Sequence, residues 1–173
     1  NQSGAVSSPL TDSVVVRLLD ASGNGVPGRN VTFAIATGGG VVSPTSATTD
    51  TAGRAAARWT LGPLAGGNSL IATSSGFSVT FQATGNSAAA TTLLSNSSTS
   101  QNGTAGLPAA APPSVRVTDA NGNPVAGVSI TFAVSGGGGS ILPVTPIATN
   151  ASGIATLTQW VLGTVAGSNT VTA

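Results

Sequence analysis

Cysteine, histidine, lysine, glutamate, tyrosine and methionine are all missing from this sequence, and each absence removes a class of chemistry. Without cysteine there are no disulfide staples, zinc ribbons or thiol reactions, although secretion stays open. A nucleophilic Ser or Thr needs a neighbouring base, and a chain without His, Lys or Glu offers none, so no catalytic residue is assigned. The acids are Asp12, Asp20, Asp50 and Asp119. A calcium site takes on the order of six to eight oxygens with several carboxylates among them. Scattered aspartates do not meet that need, and no metal-binding or cofactor-binding residue is assigned either. Asp20 and Asp119 stand before turns, where a carboxylate accepts backbone N–H groups as an Asx-turn.

Charge is equally scarce. Charged residues make up 5% of the chain, against about 25% in an ordinary soluble domain. Arg17, Arg29, Arg54, Arg58 and Arg116 are spread along the sequence, so the net charge of +1 and pI of 9.4 reflect missing titratable groups and no basic patch. Nucleic acid and anionic membranes are therefore not expected as partners. No apolar run reaches the roughly 18 residues of a membrane span. The best candidate, VVVRLL at 14–19, is short and interrupted by Arg17, so no membrane insertion is expected. The first residue is Asn1, with no Met, charged n-region or apolar h-region; any targeting signal is expected to be removed or to lie outside the segment.

What is abundant is glycine, at 24 residues, together with Ser, Thr and Asn. These suit turns and polar strand faces without ion pairs. The chain also repeats itself. DASGNGVPGRNVTFAI at 20–35 matches DANGNPVAGVSITFAV at 119–134, and each copy is followed by a glycine cluster, at 38–40 and 136–139. TDTAG at 49–53 matches TNASG at 149–153, and WTLGPLAGGNSLIA at 59–72 matches WVLGTVAGSNTVTA at 160–173. Self-similarity at a spacing near 100 residues divides the chain into two modules, expected at 1–86 and 87–173.

Within each module the apolar residues alternate, which is the period of a half-buried strand. Val14, Val16 and Leu18 face one way and Arg17 the other; Val31, Phe33 and Ile35 do the same, repeated by Ile130, Phe132 and Val134. Tight turns at 22–25 and 121–124 read as hairpin connections between these strands. Ala55, Ala57, Trp59 and Leu61 form one face of a later strand. In the second module Ala155 and Leu157 are followed by Trp160 and Leu162 only after an extra residue, which predicts a β-bulge near Thr158 and Gln159. Trp59 and Trp160 are expected at the centres of the two cores. Phe77, Val79 and Phe81 alternate as a further inward face. The glycine clusters read as flexible loops, since neither is followed by the Lys and helix of a phosphate-binding loop. Sequons stand at Asn1, Asn30, Asn96, Asn102 and Asn150, and their use depends on the host.

The D-x-x-G-N-x-V-x-G-x-x-V/I-T-F block, the glycine cluster, the T-D/N-x-x-G turn and the L-G-x-x-A-G-x-N block resemble the group 1 bacterial immunoglobulin-like domain, the repeat of invasin and intimin surface proteins. The resemblance covers nearly the whole chain. It implies an all-β fold of two tandem Greek-key β-sandwiches, secretion to the bacterial cell surface, and service as a spacer or adhesive repeat with no catalytic residues. Against the repeat pattern, the first module lacks its first strand, the counterpart of 88–103. The second lacks its last strand, the counterpart of 74–85. Open edges of this kind invite pairing. The expected partners are therefore neighbouring copies of the same repeat or subunit, with strand donation at both termini; a host or surface ligand is the alternative, including a sugar bound on loops 38–46 and 136–146.

Overall fold

A computed structural model describes all 173 residues, and every helix position in it is empty: the regular elements are strands. The chain forms two compact units, Asn1–Ser87 and Ala88–Ala173.

The first unit contains β1 (Gln2–Ala5), β2 (Val14–Arg17), β3 (Asn30–Thr37), β4 (Val41–Ser43), β5 (Ser46–Thr48), β6 (Arg54–Thr60), β7 (Gly66–Ser74) and β8 (Phe77–Asn86). They make two sheets, ordered β1-β8-β7-β3-β5 and β2-β6-β4. Pairings are antiparallel apart from β1 with β8, which run parallel. The inner faces carry the alternating residues: Val14 from β2, Val31 and Phe33 from β3, Ala55, Ala57 and Trp59 from β6, and Leu70 and Ala72 from β7, all buried. Arg17 and Arg58, at odd positions in that alternation, are exposed. The β7–β8 ladder runs unbroken from Gly66↔Gly85 to Ser74↔Phe77. Its turn places Ser75 and Gly76 at φ of 51° and 86°, the two positive angles that let a two-residue turn follow the right-handed twist of its strands.

Two expectations need correction. The hairpins expected at 22–25 and 121–124 do not join paired strands: β2 lies in one sheet and β3 in the other. The turn is locally hairpin-like, with Asp20 N–H donating to Asn24 O and Val26 N–H to Leu18 O, but the chain then crosses between sheets. Phe77 and Val79 are not inward: they are 74% and 52% exposed, while Phe81 is partly buried and Ala83 fully so. Alternation continues to the end of the β7–β8 hairpin, but only its inner half packs on the core. The glycine clusters each lead into a short strand that buries Val42 or Ile141.

The second unit contains β9 (Thr92–Ser95), β10 (Ser114–Thr118), β11 (Ser129–Ile130), β12 (Ala133–Gly136), β13 (Ser140–Leu142), β14 (Ile147–Ala148), β15 (Ile154–Thr156), β16 (Gln159–Val161) and β17 (Thr170–Thr172). Its pairings repeat those of the first unit: β10 with β15 follows β2 with β6, β11 with β14 follows β3 with β5, β12 with β17 follows β3 with β7, and β13 with β16 follows β4 with β6. The extra residue is found where parity predicts it. In the first unit Val15 pairs with Ala56 and Ser43 with Arg58; in the second Ser114 pairs with Thr156 and Leu142 with Gln159. One residue is inserted between the two registers, splitting the single strand β6 into β15 and β16. The Thr158 N–H and Oγ1 both donate to Leu142 O, at 2.8 and 3.0 Å, and Leu157, Trp160 and Leu162 still point into the core. β9 adds to β10 and has no counterpart in the first unit; β8 has none in the second.

Candidate functional site

The aspartates that sequence singled out are turn caps. Asp20 Oδ1 accepts the N–H groups of Ser22 and Asn24 at 2.9 and 2.8 Å, and Asp50 Oδ1 accepts those of Ala52 and Arg54. Asn150, the repeat counterpart of Asp50, makes the same two bonds with its amide oxygen, to Ser152 and Ile154. A neutral amide in the same role means that geometry, and not charge, is what the position requires. Asp119 differs in being buried. Its Oδ1 accepts from Asn121 and Asn123, and its Oδ2 from the Asn123 amide and from Ala88 N–H at 2.9 Å, which ties the start of the second unit to the β10 end.

Loss of hydration pushes the Asp119 carboxyl up, but the bonds from Asn123, Ala88 and Asn121 outweigh it and hold the pKa below the ordinary 3.8. Asp20 is lowered as well, first by the Asn24 N–H and then by the Asn24 side chain. A depressed folded value contributes stability that is present above the unfolded pKa and is lost as pH falls through the folded one. Unfolding free energy is therefore expected to be flat from neutrality down to about pH 5 and to fall below 3.8. Urea titrations between pH 2 and 7 check this (on the order of five pH points suffice); Asp119→Asn should flatten the acid limb of the second unit, and an unchanged limb would assign the loss to other groups.

The two tryptophans occupy equivalent places with unequal cover. Trp59 is 1% exposed and Trp160 9%, and Leu61 and Leu162 differ in the same way. Neither indole Nε1 has a hydrogen-bond partner. The cause lies beside Trp160, where a groove of about 650 Å³ opens within the second unit, floored by Phe132, Trp160 and Leu162. One wall is residues 101–103 and the other is β17 with Ala173. In the first unit the equivalent walls are β1 and β7, and β8 lies between them. A smaller cavity of about 300 Å³ touches Trp59, Leu10 and Val14 in the first unit. There the outer edge of β2 stays unpaired, whereas β9 covers β10. Val15, on that open strand, is about half exposed at 49%. No cluster of titratable groups accompanies either cavity. Both are features of shape, and the sequence signal that relates the two units is the alignment of Gln2 with Gln101 and of Leu70 with Val171.

Comparison with known proteins agrees with this architecture. The family model of the bacterial Ig-like domain (group 1) matches residues 108–173. No curated protein matches the chain. Among solved structures, FdeC, an Escherichia coli adhesin, is similar with a TM-score of 0.57 at 21% identity, over 96% of this chain and 55% of that one. Yersinia pseudotuberculosis InvD is similar with a TM-score of 0.56 at 23% identity, over 96% and 48%. The chain thus spans about half the length of these solved chains, and the likeness is one of fold. The resemblance to group 1 bacterial Ig-like domains therefore holds, matched directly over residues 108–173 and extended to the first unit by the repeat of its blocks and its strand pairings.

Proposed function

We propose that the chain is a non-catalytic structural module of a bacterial surface protein, exported to the cell exterior, where sandwiches in series form a stalk, tandem array or head-to-tail filament. The observation that carries this reading is the placement of the aromatic and charged groups. Both tryptophans are spent on cores, and the polar residues outside them form turns and strand faces with no convergent set of reactive groups. Such a module holds a distance. Its partners are neighbouring repeats, in its own polypeptide or in an adjacent subunit.

A second reading, an adhesin module that binds a host ligand or a carbohydrate, draws on the exposed Phe77 and Val79 at the tip of the β7–β8 hairpin and on the likeness in fold to an adhesin. One assay separates the two. The chain is inserted in one or two copies between a cell-surface anchor and a reporter binding domain, and the reach of the reporter is measured. A spacer lengthens reach with copy number and is indifferent to Phe77→Ser. If the chain alone retains cells on a host surface or glycan array and Phe77→Ser abolishes retention, the adhesin reading replaces it.

A further inference from the structure

Three repeat positions carry the same turn, and one of them does more than hold it. Asp50 and Asn150 each hold their turn through one oxygen, Oδ1, which accepts the N–H groups two and four residues on. Asp119 Oδ1 does the same for Asn121 and Asn123. Its second oxygen takes two more donors, the Asn123 Nδ2 and the Ala88 N–H, both at 2.9 Å. Asp119 is 2% exposed, so water does not stand in for either partner.

The Ala88 bond has no part in the turn. It reaches across 31 positions of sequence to the residue at which the second unit begins. Only Ser87 separates Ala88 from Asn86, the last residue of β8. A further hold on the entering chain follows at Thr91, whose N–H donates to Thr118 O.

We propose that Asp119 anchors the joint between the two units: its carboxylate captures the backbone entering the second unit at Ala88, and position 119 requires an acid where position 150 does not. An asparagine at 119 keeps an amide oxygen for the turn, as Asn150 does. Its other atom becomes an NH2 group, which donates and accepts nothing. The Asn123 amide can turn over to meet it; the Ala88 N–H, a backbone group, has no such freedom. Left without an acceptor in a buried place, that N–H carries its full desolvation penalty unless the segment swings out to water. With Ala88 held, Ser87 is the free backbone of the joint. With Ala88 released, the free run extends to residue 90, and each added residue brings its own rotations. The proposal rests on the reading of the chain as sandwiches in series, and it names the side chain that makes such a series stiff at its joints.

The test compares the intact 173-residue chain with Asp119→Asn and with Asp50→Asn, amide by amide. In Asp119→Asn the Ala88 amide should exchange at least about tenfold faster, while the amides of Asn121 and Asn123 keep their protection and Trp160 emission is unchanged. Asp50→Asn should alter none of these. Nitrogen-15 relaxation reads the joint itself: the two units of the parent should share one rotational correlation time, and Asp119→Asn should give two shorter ones. Should Asp119→Asn fail to fold, an ester made by placing lactic acid at position 88 deletes only the N–H and should produce the same two times. Unchanged Ala88 exchange, two times already in the parent, or a single time in the ester would overturn the proposal. Loss of protection at 88, 121 and 123 together would also overturn it, since Asp119 would then be a turn cap like Asp50. The reach assay responds to copy number whether or not the joint is stiff, so the spacer reading stands or falls separately.

Discussion

Trp59→Ala is expected to cost the first unit about 4 kcal/mol, the usual range for emptying a buried tryptophan site being ~3–5. Trp59 is the largest side chain of its core and is packed among Phe33, Leu10, Leu61 and Leu70 from both sheets. Its removal leaves a hole that short strands fixed in two ladders cannot collapse to fill. A module of this size buries only about two thirds of its unfolded surface, and its whole stability is of the order of 5–15 kcal/mol, so one such loss removes a large fraction. The second unit should be unaffected, because its core has its own residues. Urea unfolding reads both at once: far-ultraviolet circular dichroism should show an early first transition, while fluorescence from the remaining Trp160 should hold its midpoint. Trp160→Ala should cost less, about 3 kcal/mol, because that ring already borders the open groove. Equal losses in the two variants, or a Trp59→Ala midpoint within error of the parent, would contradict this account of the cores.

Gly40→Ala should be nearly as damaging, and for a reason that has nothing to do with burial. Gly40 has φ of 92°, and a Cβ built on it would run into the Thr60 carbonyl oxygen and approach the Gly62 nitrogen and Leu61 carbon, both at 2.8 Å. These are backbone atoms of β6 and the turn after it, so no side-chain rotation relieves the overlap. Gly139 repeats the arrangement at φ of 88°, against the Val161 carbonyl and Gly163. The control is Gly76→Ala. Gly76 has nearly the same angle, 86°, but nothing within reach of a Cβ, so it should lose only the backbone preference, about 1 kcal/mol. Gly40→Ala adds a clash to that preference and should exceed about 3 kcal/mol. Denaturation midpoints of the pair give the comparison directly; similar losses would mean that conformational preference alone explains both.

Much of this was readable from residue order, because the information is local. Val31, Phe33 and Ile35 alternate, and they line one face of β3. The step from Leu157 to Trp160 is one residue longer than the matching step from Ala57 to Trp59, and the strand is interrupted there. Other features depend on what lies opposite. Phe77 and Val79 alternate as regularly as Phe81 and Ala83, yet no partner sheet reaches them, and periodicity carries no record of where cover ends. The Asp20 turn is equally ambiguous. Its Asx hydrogen bonds are satisfied within residues 20–24, so the local chemistry is the same whether the chain returns beside its own strand or crosses to the other sheet. The glycine clusters illustrate the same limit: composition suggests freedom, while the close approach of Thr60 and Val161 shows that glycine is required there for space. The groove beside Trp160 was legible only by laying one copy of the repeat over the other, since its walls are ordinary Ser, Thr, Asn and Val residues.

The sparse charge of the chain, four aspartates and five arginines, carries a consequence for the medium in which such a module works. Its wetting comes from hydroxyl and amide groups, which gather no counter-ion cloud and so have little to gain or lose when ions are added or withdrawn. Between fresh water and physiological ionic strength, where added salt acts chiefly by screening charges, the melting temperature should therefore move little.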